Sequence, residues 1–230
     1  MFRSWLGSAA TQAVGLVGPL AERIVDDAPD KIPEGLITYA EECAVEHMTQ
    51  NLIREEFDTK YTIHGHEKEV PTMMAFMEET GIEAYNFGDD QEFITPNRTL
   101  YVEGYGEVNL GDHVGCTPDG LIGLKGGVEG KARSSKEHFK RLKSIFTQED
   151  LLTHDKYVYW QIMFSLWVTG RQSWYLVMFD DRFTEDFKHL RMRIVRVDRN
   201  EDHISKLEER VKLAIKFKLD QIARAVELAG

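Results

Sequence analysis

Thr117-Pro118-Asp119-Gly120-Leu121, followed ten residues after the aspartate by Glu129-Gly130-Lys131, is the stretch on which the reading of this chain turns. Residues two apart on a β-strand share a face. Glu129 and Lys131 therefore project together, while Gly130 points away. A hairpin turn at Leu124–Gly126 brings Asp119, at the foot of the first strand, back beside the second. One carboxylate from each strand, with an ammonium next to them, then converges on one point.

Such a group suits phosphodiester hydrolysis. The scissile phosphate is already anionic, so attack by hydroxide is opposed until cations neutralise the developing charge. Carboxylate oxygens are hard ligands suited to Mg²⁺, which keeps several waters and accepts a phosphate oxygen as a further ligand. The bland alternative is a Pro-Asp-Gly turn followed by an exposed Glu129–Lys131 ion pair, and Pro-Asp-Gly is common turn chemistry.

The pattern outward from the hairpin sets the fold class. Apolar spacing predicts helices over 9–26 and 34–57, the second through Leu36, Ala40, Cys43, Ala44, Met48 and Leu52. A further helix is expected from about Gly65 to Thr80, closed by Gly81. Alternating segments at Thr99–Glu103, His113–Cys116, Gly120–Leu124 and Gly127–Ala132, separated by Gly, Asp and Asn, read as strands and hairpins. A helix over 155–169 carries Tyr157, Trp160, Phe164, Trp167 and Val168. Strands at Ser173–Phe179 and Leu190–Val197 and a helix from about Glu201 to Leu228 complete the order. This is an α/β chain with a mixed central sheet flanked by helices. It reads as one domain over 1–230, with N-terminal helices at 1–60, a catalytic core at 61–200 and a C-terminal helix at 201–229.

Composition narrows the partners. With 42% hydrophobic and 29% charged residues the chain can bury a core. No run approaches the ~20 apolar residues of a membrane span. The N-terminal MFRSWLGSAATQAVGLVGPLAERI is diluted by Ser, Thr, Gln and Gly, and reads as a helix rather than a signal peptide. Cys43 and Cys116 are the only cysteines and have no ligand spacing, which excludes a cysteine zinc or iron–sulfur site and fits a reduced, cytoplasmic protein. The net charge of −11 argues against coating nucleic acid by bulk electrostatics. Yet the balance reverses locally between Lys125 and Lys143, where Lys125, Lys131, Arg133, Lys136, Lys140, Arg141 and Lys143 face only Glu129 and Glu137.

These residues carry a resemblance. Cys116-Thr117-Pro118-Asp119-Gly120-Leu121 with Val128-Glu129-Gly130-Lys131 is similar to the active-site hairpin of the phage lambda exonuclease family, within the PD-(D/E)XK nucleases. Tyr159-Trp160-Gln161-Ile162-Met163-Phe164-Ser165-Leu166-Trp167-Val168-Thr169 resembles the family's glutamine helix, Ser173-Trp174-Tyr175 its next strand, and Gly65-His66-Glu67-Lys68-Glu69 its Gly-x-x-x-Glu helix. The departures are Met163, where a second glutamine is frequent, and Gly130, where an apolar residue is usual.

The resemblance implies a PD-(D/E)XK core and a role for each matching residue. Asp119, Glu129 and the Gly130 carbonyl would bind one or two Mg²⁺ ions, with Mn²⁺ able to substitute. Lys131 would assist the attacking water, Gln161 would support Lys131 or that water, and Glu69 would stand beside the metal. Arg3 and Ser8 would grip a 5′-phosphate, with Arg133, Lys136 and Lys140 along the DNA. The implied activity is 5′-to-3′ degradation of double-stranded DNA ends by a homotrimer that works with a single-strand annealing protein. The alternatives are another nuclease of the superfamily, RecB-like or structure-specific, and a non-catalytic DNA-binding subunit.

Overall fold

The structure, a computed structural model, describes the backbone at residues 34–50 and 60–228, and side chains at 37–50 and 67–228. In chain order its elements are α1 (Glu34–Thr49), α2 (Lys60–Thr80), β1 (Thr99–Val102), β2 (Gly106–Asn109), β3 (Gly120–Ile122), β4 (Gly126–Lys131), α3 (Ser135–Leu142), α4 (Gln148–His154), α5 (Lys156–Thr169), β5 (Ser173–Phe179), β6 (Met192–Asp198) and α6 (Glu201–Leu228). The expected helix over 9–26 and the end of the one over 34–57 lie outside the described residues. No described helix is long and apolar enough to cross a membrane.

Two compact units are distinguished, one within residues 56–92 and 118–199, the other within 1–55, 93–117 and 200–230. The first holds a four-stranded mixed sheet of order β3-β4-β5-β6. β3 and β4 are antiparallel, β4 and β5 parallel, β5 and β6 antiparallel. The fold is thus the expected α/β arrangement of a mixed sheet with helices against it. Alternation along β4 assigns its two faces. Val128 joins Met73 and Phe76 of α2 and Val177 of β5 in one buried cluster. Gly127, Glu129 and Lys131 turn to the other face, where α5 contributes Gln161. Apart from its ends and Gln161, α5 is buried all round, including Trp160, Phe164 and Trp167, as befits a helix that is apolar on every side.

Glycines let this hairpin be covered so closely. A Cβ at Gly127 would stand 2.4 Å from the Trp174 ring, and one at Gly130 would stand 3.2 Å from Thr72 Cγ2. A side chain at 127 would displace a buried indole, whereas one at 130 would need Thr72 of α2 to give by a few tenths of an ångström. The glycine at 130, unusual for the resembled motif, lies under a close approach of α2.

In the other unit β1 and β2 form an antiparallel pair, and α1 lies along α6. The strand expected at His113–Cys116 is absent. In its place a 3-10 turn at Leu110–Asp112 leads to a single bridge between Ile94 and Cys116, and Gly115 sits beneath the Phe93 ring. Strand β2 and helices α3 and α4 were not expected. The hairpin turn occupies 123–125 rather than 124–126, because Gly123 takes the left-handed conformation at φ 45°. Strand β6 starts at Met192 because residues 185–190 form a 3-10 segment.

Substituting Gly127→Ala should cost about 3 kcal/mol through overpacking against Trp174. In urea unfolding this is expected as a lower midpoint at unchanged slope, and an unchanged midpoint would contradict the packing described.

Candidate active site

The register decides where the chemistry lies. Gly120 pairs with Val128, so the next residue outward on each strand, Asp119 and Glu129, lie across from each other. Asp119 Oδ2 accepts the Gly130 N–H at 2.8 Å. Strand alternation points the N–H and C=O of one residue to the same side, so the Gly130 carbonyl is aimed toward Asp119 as well. Glu129 is 2% exposed, and its Oε1 takes two donors, Lys131 Nζ at 2.5 Å and Gln161 Nε2 at 2.6 Å. Four of the five expected catalytic side chains therefore meet at the open end of one hairpin. The fifth, Glu69, shares the inward face of α2 with Thr72, Met73 and Phe76 by helical spacing, and its charge is felt at Asp119.

Electrostatics marks this group as short of positive charge. Burial, then the Glu129 carboxylate, drive the Asp119 carboxyl well above the usual carboxylate range; Lys131 and the Gly130 N–H oppose this, and Glu69 adds to it. At Lys131 burial disfavours the ammonium, but Glu129 and Asp119 outweigh it, and the pKa rises above the ordinary lysine value. One ammonium among several carboxylates leaves a deficit that a divalent cation would fill. Gln161 Oε1 is also buried and lacks a hydrogen-bond partner. A buried acceptor left over beside two carboxylates is the donor set that a hard cation and its waters require. Among the described residues no three His, Cys, Asp or Glu side chains form a close metal-binding group. The hairpin thus offers two carboxylates and a backbone oxygen rather than a closed side-chain cage.

The basic run resolves into two kinds of residue. Asp155, just before α5, receives Arg133 Nη2 at 2.8 Å and Arg141 Nε at 2.7 Å on the same oxygen, and Arg141 also holds Glu137. Arg133 is therefore committed to tying the end of β4 to the start of α5. Lys136 and Lys140 are exposed on α3. Arg3 and Ser8 lie outside the described residues.

Two residues escaped the sequence reading. Asp155 is 22 residues from Arg133, too far for any local pattern to reveal the pair. Tyr157 was read only as part of the apolar spacing of its helix, although it precedes Gln161 by one helical turn and so shares its face. It is also the exposed residue of α5, at 41%. Its hydroxyl has a raised pKa, mainly from burial, with Lys131, Glu129 and Arg133 as further influences.

Residues 20–172 match the YqaJ-like viral recombinase domain family. Among solved structures, LHK-Exo in complex with dAMP is similar at TM-score 0.66 and 21% identity, over 91% of each chain. A second structure of LHK-Exo, an alkaline exonuclease from Laribacter hongkongensis, gives 0.64 at 21% over the same shares. A phage related exonuclease from Haemophilus somnus 129PT gives 0.58 at 15%, over 90% of this chain and 94% of that one. These likenesses carry the fold. No curated protein sequence matches.

Asp119→Asn keeps an acceptor for the Gly130 N–H but removes a charge that its neighbours oppose. Without metal, the variant is expected to melt at the same temperature as the unaltered protein or a few degrees higher. Millimolar Mg²⁺ or Mn²⁺ should raise the melting temperature of the unaltered protein alone. An equal cation-induced shift in both proteins would place cation binding elsewhere.

Proposed function

Because the chain belongs to the YqaJ-like viral recombinase domain family, we propose that it is a Mg²⁺-dependent exonuclease that degrades the 5′-ended strand of double-stranded DNA. It releases 5′-mononucleotides and leaves a 3′-ended single strand for recombination by annealing. The observation that carries this reading is the meeting of Asp119, Glu129, Lys131 and Gln161 at one end of the β3–β4 hairpin. The exonuclease names of the structurally similar proteins agree with it.

In this reading Asp119, Glu129 and the Gly130 carbonyl hold the ion, with Glu69 beside it. A bound Mg²⁺, or Mn²⁺ in its place, supplies concentrated positive charge against the scissile phosphate. Glu129 is fixed in place by its two donors, Lys131 and Gln161. Lys131 directs its remaining N–H groups at the phosphate or the attacking water. Gln161, with its amide nitrogen committed to Glu129, turns its carbonyl oxygen toward that water and accepts one of its hydrogen bonds. Tyr157, one turn away, forms a wall for the terminal nucleotide. Arg133 holds the framework through Asp155, while Lys136 and Lys140 follow the backbone of the undegraded strand, and Arg3 and Ser8 take the 5′-phosphate.

A homotrimeric ring reconciles a chain of net charge −11 with an anionic substrate, since basic segments can line the path while the outside stays acidic. The working location is the host cytoplasm, with a single-strand annealing protein as partner.

Digestion of end-labelled linear duplexes with and without Mg²⁺ tests this reading. The unaltered protein should release 5′-mononucleotides only with the cation, and should spare covalently closed circles. Asp119→Ala and Glu129→Ala should lower turnover at least 10³-fold, and Lys131→Ala about 10²–10³-fold with a smaller effect on KM. Cutting of closed circles would reject the exonuclease, and near-normal turnover in any of these variants would reject the site.

A further inference from the structure

We propose that the outer face of α3 is a track for single-stranded nucleic acid. Phe139 is its stacking platform, and Lys136, Lys140 and Lys143 are its phosphate contacts. The inference rests on the nuclease reading for the origin of the strand, the one left undegraded, but its geometry stands apart from the metal site.

The four residues recur at helical spacing, three, four and seven positions from Lys136, and so form one stripe. All four are exposed, Phe139 at 42%. The opposite face is anchored: His138 and Leu142 are buried, and His138 Nε2 lies 2.8 Å from the Leu190 carbonyl oxygen. The stripe is thus held outward by a helix that cannot roll. Phe139 leaves 42% of its surface open on this face, and Lys143 Nζ lies over its ring, 4.7 Å from the centroid.

Charge separates this face from its surroundings. The neighbouring arginines are consumed by carboxylates: Arg133 and Arg141 by Asp155, and Arg182 by Asp180. Among the described residues Lys136, Lys140 and Lys143 make no ion pair, and the one acid of the helix, Glu137, is bound by Arg141. Three ammonium groups with no carboxylate partner, one of them resting over the Phe139 ring, make a local anion-binding surface on a strongly acidic chain.

An exposed aromatic among them adds what a plain phosphate contact does not need, a flat apolar face for a base. Bases of a duplex are stacked on one another, whereas those of a single strand are free to stack on Phe139. From Lys136 to Lys143 the helix rises about 10 Å, the span of roughly three nucleotides in a stacked strand. The face begins a few residues beyond Lys131, so a strand leaving the hairpin would reach it.

The test uses the full chain, a fluorescein-labelled oligothymidine and a blunt duplex of equal length, in chelator so that nothing is cut. Lys136→Ala/Lys140→Ala/Lys143→Ala should weaken single-strand binding at least tenfold and flatten the dependence of log affinity on log salt by about 2. Phe139→Ala should weaken single-strand binding about tenfold and duplex binding little, and Phe139→Trp should restore it. Lys206→Ala, an exposed lysine on α6, serves as a control and should change neither.

Indifference of single-strand binding to Phe139→Ala would overturn the track. So would equal losses on both nucleic acids in the triple variant. Phe139-dependent sedimentation with phosphatidylserine vesicles in place of oligonucleotide binding would assign the face to a membrane surface and overturn it too. If the expected binding pattern holds but labelled duplex ends stay intact in Mg²⁺, the nuclease reading fails while the track stands.

Discussion

The backbone of the β3–β4 hairpin is closely covered on both faces, and on one of them no side chain could fit. Gly127 admits the Trp174 indole on one side, and Gly130 admits Thr72 of α2 on the other. With both faces covered, the register is fixed, because a one-residue slip would turn Val128 out of its cluster and drive Glu129 into it. That register sets Asp119 across from Glu129. The positions of Asp119, Glu129 and Lys131 follow from that register, and Gly127 allows the indole cover that helps to fix it.

The same hairpin holds an unresolved electrostatic conflict. Two carboxylates are brought together away from bulk water, with Lys131 as their immediate counter-charge and Gln161 as a neutral donor. A chain selected only for stability would not keep such a pair, since neutral packing would cost less. Local conflict of this kind, in an otherwise consistent fold, is the expected signature of a site. Arginine and lysine divide the remaining work near it. The arginines at 133, 141 and 182 are bound into the framework by carboxylates, while the lysines of α3 stay open to solvent.

Much of this was legible in the residues. Period-two alternation placed Glu129 and Lys131 on one face and Gly130 on the other, and the long apolar repeats located α5, β5 and α6. What stayed hidden has physical reasons. Helices α3 and α4 are short, and the basic composition of the first masked its two buried positions, His138 and Leu142. Its start was nevertheless written in Ser134, and that of α4 in the reciprocal cap between Thr147 and Asp150. The strand expected at His113–Cys116 failed because alternation there reflects Gly115 packing under Phe93 rather than a ladder. The commitment of Arg133 to Asp155 depends on a contact across 22 residues, which no local pattern encodes.

If the β3–β4 hairpin clasps a divalent ion between the carboxylates of residues 119 and 129, crystals grown with Mn²⁺ should show an anomalous scattering peak bounded by Asp119, Glu129 and the Gly130 carbonyl. That peak should be missing from Glu129→Gln crystals. A manganese peak elsewhere on the chain, with the hairpin carboxylates bound to none, would contradict this reading of the site.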